Sequence, residues 1–200
     1  MRPAAQQNLK DLERFQCPDG GFSYWPGDCH FTSPYLTAYL LHVFKTAADQ
    51  KFQVDSGMQA RAYTYLEQAL ASEPPTNEGW WPAYTAWQAF AVKVLVEGGR
   101  NQDSNLTRLY GYRERMPVFA LASLHDALVA RGAASSDSTG RITDLRRRMV
   151  NAILPEAGSA HVEELNDPYL LWFWNSNVRS TSIVLNSLVK ANVNDAPVRQ

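Results

Sequence analysis

Four stretches of this chain are apolar on nearly every side: "YLTAYLLHVFKTAA", "AYTAWQAFAVKVLV", "VFALASLHDALVA" and "VRSTSIVLNSLVKANV". Between them run stretches apolar on one side only. Asn8 to Phe15 aligns Leu9, Leu12 and Phe15, and about Asp55 to Ala71 aligns Met58, Tyr65, Leu66 and Ala69. Asn105 to Arg115 carries Leu106, Leu109 and Tyr110, and Arg141 to Leu154 carries Ile142, Leu145, Met149 and Ile153. A helix with one apolar stripe sits at a surface, whereas a helix apolar all round must be covered on all sides. Strict alternation of the two kinds therefore predicts an all-α fold with an outer and an inner layer of helices.

The starts of the apolar members resemble one another, "SPYLTAYLL", "WPAYTAWQA", "MPVFALASL" and "VRSTSIVLN", which is a degenerate repeat of helical hairpins. About four hairpins predict an arc or partial ring, an α/α-toroid; an irregular helical bundle is the alternative. Ser33-Pro34, Pro82 and Pro117 open helices, and Gly98-Gly99 and Gly132 stop them. "EPPTNEG" breaks the chain, "AASSDSTG" reads as a flexible linker, and residues 155–177 as an irregular segment or short β-hairpin. Residues 1–200 are expected to form one domain with no internal boundary.

Charge excludes some partners. Nineteen basic and 20 acidic residues leave a formal charge of -1, with no electrostatic reason to expect nucleic acid or an anionic membrane. The apolar run Ala89 to Val96 is interrupted by Lys93 and is too short to span a bilayer.

Chemistry-bearing residues gather in "QCPDGGFSYWPGDCHF", residues 16–31, too broken for a helix and too aromatic for an idle loop. Cys17 and Cys29 are near enough in sequence for a bridge, which would stabilise the fold by roughly 3 kcal/mol in the chain-entropy account. Two buried thiols in a reducing compartment are the other reading. Zinc held by Cys17, Cys29 and His30 lacks a fourth ligand and the usual spacing; no metal and no cofactor are expected. His42 and His125 lie inside apolar helices and read as core histidines. His30, beside the aromatic loop, and His161, beside Glu163 and Glu164, are candidate general bases without a visible nucleophile.

Asp19, Asp28, Glu78, Glu163, Glu164 and Asp167 lie on loops, where two of them could serve as the acid and base of a glycosidase. Trp80, Trp81, Trp172 and Trp174 could stack on a sugar or seal the helical layer. Arg146, Arg147 and Arg148 read as a solvated face. Aspartate-rich, phosphate-loop and dinucleotide-binding motifs are absent.

"CPDGGFSYWPGD" followed by "SPYLTAYLLHVF" resembles the thioester-domain region of the α2-macroglobulin and complement superfamily. "LTRLYGYRERMPVFALASLHDAL" and "WFWNSNVRSTSIVLNSLVKA" resemble its bacterial branch. The resemblance runs from Gln6 to Ala191. It implies an α/α-toroid and an exported protease trap, periplasmic or membrane-anchored facing the periplasm, with the export signal outside this chain. It also favours a Cys17–Cys29 bridge.

The family's Cys-x-Glu-Gln thioester motif is absent here and would lie upstream of Met1. The histidine of complement-like members is missing from "ASEPPTNEGWWP". The chain is thus expected to be a piece of a longer protein, with no catalytic and no thioester residue of its own. Gly20 and Gly21 would permit a bend, and Phe22, Tyr24 and Trp25 would plug an end of the ring and meet neighbouring domains. The expected function is non-catalytic interaction within an endopeptidase inhibitor whose partners are its other domains and target proteases. Exposed inner-layer edges would favour self-association. The rivals are a helical-toroid enzyme acting on carbohydrate and a generic helical-repeat scaffold.

Overall fold

The structure is a computed structural model that describes residues 2–72, 76–132, 136–164, 168–173 and 175–191. Eight α-helices and one β-hairpin form among these residues, gathered into two compact units, Met1–Glu73 and Pro74–Gln200.

The first unit contains α1 (Arg2–Asp11), α2 (Pro34–Asp49) and α3 (Ser56–Leu70). A short 3-10 turn, Leu12–Phe15, continues α1, which begins earlier than the stripe from Asn8 predicts. Ser33 caps α2 by accepting the Leu36 N–H, and Pro34 supplies the fixed φ of the first turn. Asp55 caps α3 through the Met58 N–H at 2.6 Å. The core between α2 and α3 is made by Ala38, Leu41 and Phe44 against Met58, Ala62, Leu66 and Leu70. α1 has no buried residue; it is tied down by polar bonds, Arg2 to the Gln50 carbonyl and Gln6 to both backbone groups of Gln53.

The second unit contains α4 (Trp81–Glu97), α5 (Asp103–Gly111), α6 (Val118–Arg131), α7 (Ser136–Asn151), the strands β1 (Ile153–Glu156) and β2 (Ser159–Val162), and α8 (Asn177–Ala191). Here the alternation read from the sequence appears as burial. α4 and α6 are buried around most of their circumference, while α5 buries only Leu106 and Leu109, and α7 only Leu145 and Met149. α6 packs against α4, α5, α7 and α8. The last turns of α4, α6 and α8 line one cavity, so α5 and α7 return the chain between three inner helices that end together.

Three expectations need correction. α2 and α8 are covered on one face only: α8 buries Ser180, Val184, Ser187 and Leu188 while Val178 is 78% exposed. Apolar composition marks a helix that can be covered all round; whether neighbours are supplied is a tertiary matter. The linker reading of "AASSDSTG" fails from Ser136 onward, because residues 136–140 are the first turns of α7; residues 133–135 lie outside the described residues. Ile153 is not the end of the α7 stripe but the first residue of β1, paired with Val162 in the antiparallel hairpin. The hairpin is the one expected for residues 155–177, beginning two residues earlier, and the Val162 N–H donates to Thr181 Oγ1 at 2.9 Å, fastening it to α8.

Candidate functional site

The loop before α2 has a buried base and an exposed tip. At the base, Phe22 is wholly buried, meets Phe44 edge-on at 6.0 Å and bridges the strand-like segments at Gln16 and Ser33. Its N–H donates to Thr37 Oγ1, whose own hydroxyl donates to the Ser33 carbonyl. The Gln16 amide reaches α3, donating to the Met58 carbonyl and accepting from the Arg61 guanidinium at 2.6 and 3.0 Å.

Both glycines of the turn are required. Gly20 has φ +90°, and a Cβ there would stand 2.4 Å from the Arg61 carbonyl oxygen; at Gly21 it would stand 2.7 Å from the Tyr65 ring. Asp19 accepts from the Gly21 N–H and the Thr32 hydroxyl, so this loop acid holds the turn. Tyr65 donates to the Thr32 carbonyl, and burial pushes its phenol above the ordinary value.

Residues 24–31 are all exposed. Tyr24 is 44%, Trp25 71% and Phe31 72% accessible. Turn bonds shape this tip: the Ser23 hydroxyl donates to the Trp25 carbonyl at 2.6 Å, and the Gly27 N–H to the Arg14 carbonyl at 3.2 Å. Asp28 accepts from the His30 N–H. One covalent tie joins tip to base: Cys17 and Cys29 form a disulfide with Cα atoms 5.6 Å apart. Cys17 is buried and Cys29 exposed.

Phe22, grouped with Tyr24 and Trp25 on sequence grounds, is a core residue and cannot meet a partner. Phe31 was missed, although its place two residues ahead of the Ser33 cap already puts it outside the helix. Among the described residues no group of three His, Cys, Asp or Glu side chains is placed to hold a metal ion.

A second cluster lies in the other unit. Lys93 of α4 donates to Asp126 Oδ2 at 2.7 Å, and Ser187 of α8 donates to Asp126 Oδ1 at 2.5 Å. His125 Nδ1 lies 2.9 Å from Ser187 Oγ. Since the single serine proton goes to Asp126, His125 Nδ1 is the donor to Ser187. A hydrolytic triad needs the reverse order, with serine giving its proton to a histidine that the acid orients. The cluster therefore activates no nucleophile. It pins three inner helices beside a cavity of about 140 Å³ into which Lys190 also reaches. Burial alone would raise the Asp126 carboxyl; the His125 ring 3.6 Å away, hydrogen bonds from Lys93 and Ser187, and the Lys93 charge outweigh it and hold the group well below the usual range.

Several loop acids are structural. Glu164 accepts the Val118 and Phe119 N–H groups, both at 3.0 Å, and so caps α6, whose own N-terminal residue Pro117 has no capping side chain. His161 pairs across the hairpin with Glu156 at 3.4 Å rather than with Glu163 or Glu164. His42 lines a cavity of about 620 Å³ formed by α1 and α2. Trp81 is a core residue, with Arg115 stacked over its ring at 4.3 Å; Trp80 meets Tyr84 edge-on at 5.5 Å. Arg147 and Arg148 are not simply solvated: Asp144 accepts from both, and Arg148 also clamps Glu114. Asp167, Trp174 and the side chain of Trp172 lie outside the described residues. No described helix is long and apolar enough to cross a membrane.

Comparison with solved structures gives extensive matches to bacterial alpha-2-macroglobulins. Trypsin-activated alpha-2-macroglobulin from Escherichia coli aligns with TM-score 0.75 and 19% identity over 98% of this chain and 13% of its own. Salmonella alpha-2-macroglobulin reacted with methylamine aligns with TM-score 0.74 and 19% identity, over 94% of this chain and 11% of its own. The native E. coli protein from domain MG7 to the C-terminus aligns with TM-score 0.73 and 19% identity, over 95% of this chain and 28% of its own. The chain thus has the fold of one segment of these proteins and spans between 11% and 28% of their length. No protein-family model matches the sequence. No curated protein matches it either.

Proposed function

We propose that this chain is a non-catalytic interaction segment of a macroglobulin-like endopeptidase inhibitor, a protease trap. The observation that carries the reading is the fold shared over 98% of the chain with a trypsin-activated alpha-2-macroglobulin. In this reading the thioester, if the longer protein has one, comes from residues outside the chain. Neither Cys17 nor Cys29 opens a Cys-x-Glu-Gln motif, and both are spent in the disulfide.

The partners are other domains of the longer protein and, through them, target proteases. Tyr24, Trp25 and Phe31 form the docking tip: large apolar surfaces held outward on a fastened loop are what a preorganised contact requires. The disulfide suits an oxidising compartment, in keeping with a periplasmic or membrane-anchored, periplasm-facing protein.

The test is made on the longer protein containing this chain. Treated with trypsin or elastase, it should shield the protease from a large protein substrate while a small peptide substrate is still cleaved. Equal access of both substrates would overturn the reading.

A further inference from the structure

The disulfide of the docking tip is chemically lopsided. Cys17 is 4% accessible and sits in the base of the loop, where its N–H donates to the Gly21 carbonyl at 2.8 Å and its carbonyl accepts from Gly20 at 2.9 Å. Cys29 stands in the exposed tip. The base holds without the bridge: Phe22 is buried against Phe44, Gln16 is bonded to Met58 and Arg61, and Asp19 and Tyr65 grip Thr32. Residues 24–31, by contrast, are exposed throughout and follow turn bonds of their own, with a further bond from Gly27 to the Arg14 carbonyl outside the loop.

We propose that Cys29 is a thiol-modification site and that the Cys17–Cys29 bridge is a reducible latch on the aromatic tip. A disulfide is opened by in-line attack of a thiolate on one sulfur, and access decides which sulfur is struck. The incoming thiolate bonds to Cys29 Sγ as the Cys17–Cys29 bond breaks. The electron pair leaves on Cys17 as a thiolate, which takes a proton from water. A second thiol attacks the mixed disulfide, so that two thiols are oxidised to their own disulfide and one cystine is reduced. The reductant is a small monothiol or a dithiol. Opening loosens Trp25 and Phe31 from their preset position while the base stays folded. As regulation of docking this rests on the function proposed above; the chemistry at sulfur does not.

The test uses the full 200-residue chain with reduced glutathione, acid-quenched, alkylated and mapped by peptide mass spectrometry. Glutathione is expected on Cys29 and the alkyl group on Cys17, with at least about tenfold preference, because access selects the sulfur attacked. Equal distribution, or glutathione chiefly on Cys17, overturns the site. In the fully reduced chain, and in the double variant Cys17→Ser/Cys29→Ser, hydrogen exchange should accelerate across residues 24–31 while Phe22 and Ser33 stay protected. An unchanged tip, or a base that melts with it, overturns the latch. Neither failure touches the trap, which the protease-shielding assay on the longer protein decides independently.

Discussion

Lys93 donates to Asp126 across α4 and α6 at 2.7 Å, with both side chains more than nine-tenths buried. Such a pair adds little over well-packed apolar residues, but removing one member strands the other charge. Asp126→Asn should therefore destabilise the chain by about 3–5 kcal/mol, and Lys93→Met/Asp126→Leu by much less. Urea unfolding of the single and double variants measures the difference.

Acid should find the same carboxyl. Its folded value is depressed, so its contribution is complete above the ordinary aspartate value of about 3.9 and fades as pH falls below it. Asp144, held down by Arg148, Arg147 and Tyr110 against the effect of burial, adds a loss of the same sign. Unfolding free energy between pH 7 and pH 2 should fall steeply below about pH 4, and the fall should be shallower in Asp126→Asn.

Gly20 and Gly27 share a positive φ but not a neighbourhood, since nothing lies within 4 Å of a Cβ built at Gly27. Gly27→Ala should cost only the backbone term, about 1–2 kcal/mol. Gly20→Ala adds a collision with the Arg61 carbonyl and should cost about 3 kcal/mol or more. Paired thermal melts rank the two.

Glu164→Ala should cost about 1–2 kcal/mol, the loss of a helix cap, although the residue lies 46 positions from Val118. Hydrogen exchange at Val118 and Phe119 should rise in the variant.

Core and contact aromatics should separate cleanly. Phe22→Ala is expected to cost about 3–5 kcal/mol, Trp25→Ala within about 0.5 kcal/mol of nothing. Denaturant midpoints of the two variants decide it.

Local chemistry made much of this legible beforehand. Helix starts at Ser33-Pro34 and Asp55, the stop at Gly98-Gly99 and the burial contrast of α4 and α6 with α5 and α7 follow from capping, backbone freedom and apolar periodicity. These are properties of a few adjacent residues, so the sequence by itself determined them. Long-range pairing was not so written. Which of Phe22, Tyr24 and Trp25 turned inward was decided by the bridges from Phe22 to Gln16 and Ser33; that Glu164 caps α6, that Ser187 gives its proton to Asp126, and that α8 keeps one bare face depended on segments meeting from far along the chain. Only the tertiary structure decides such matters, because burial and hydrogen bonding belong to pairs of residues in space, and a side chain's own type fixes just one half of each pair.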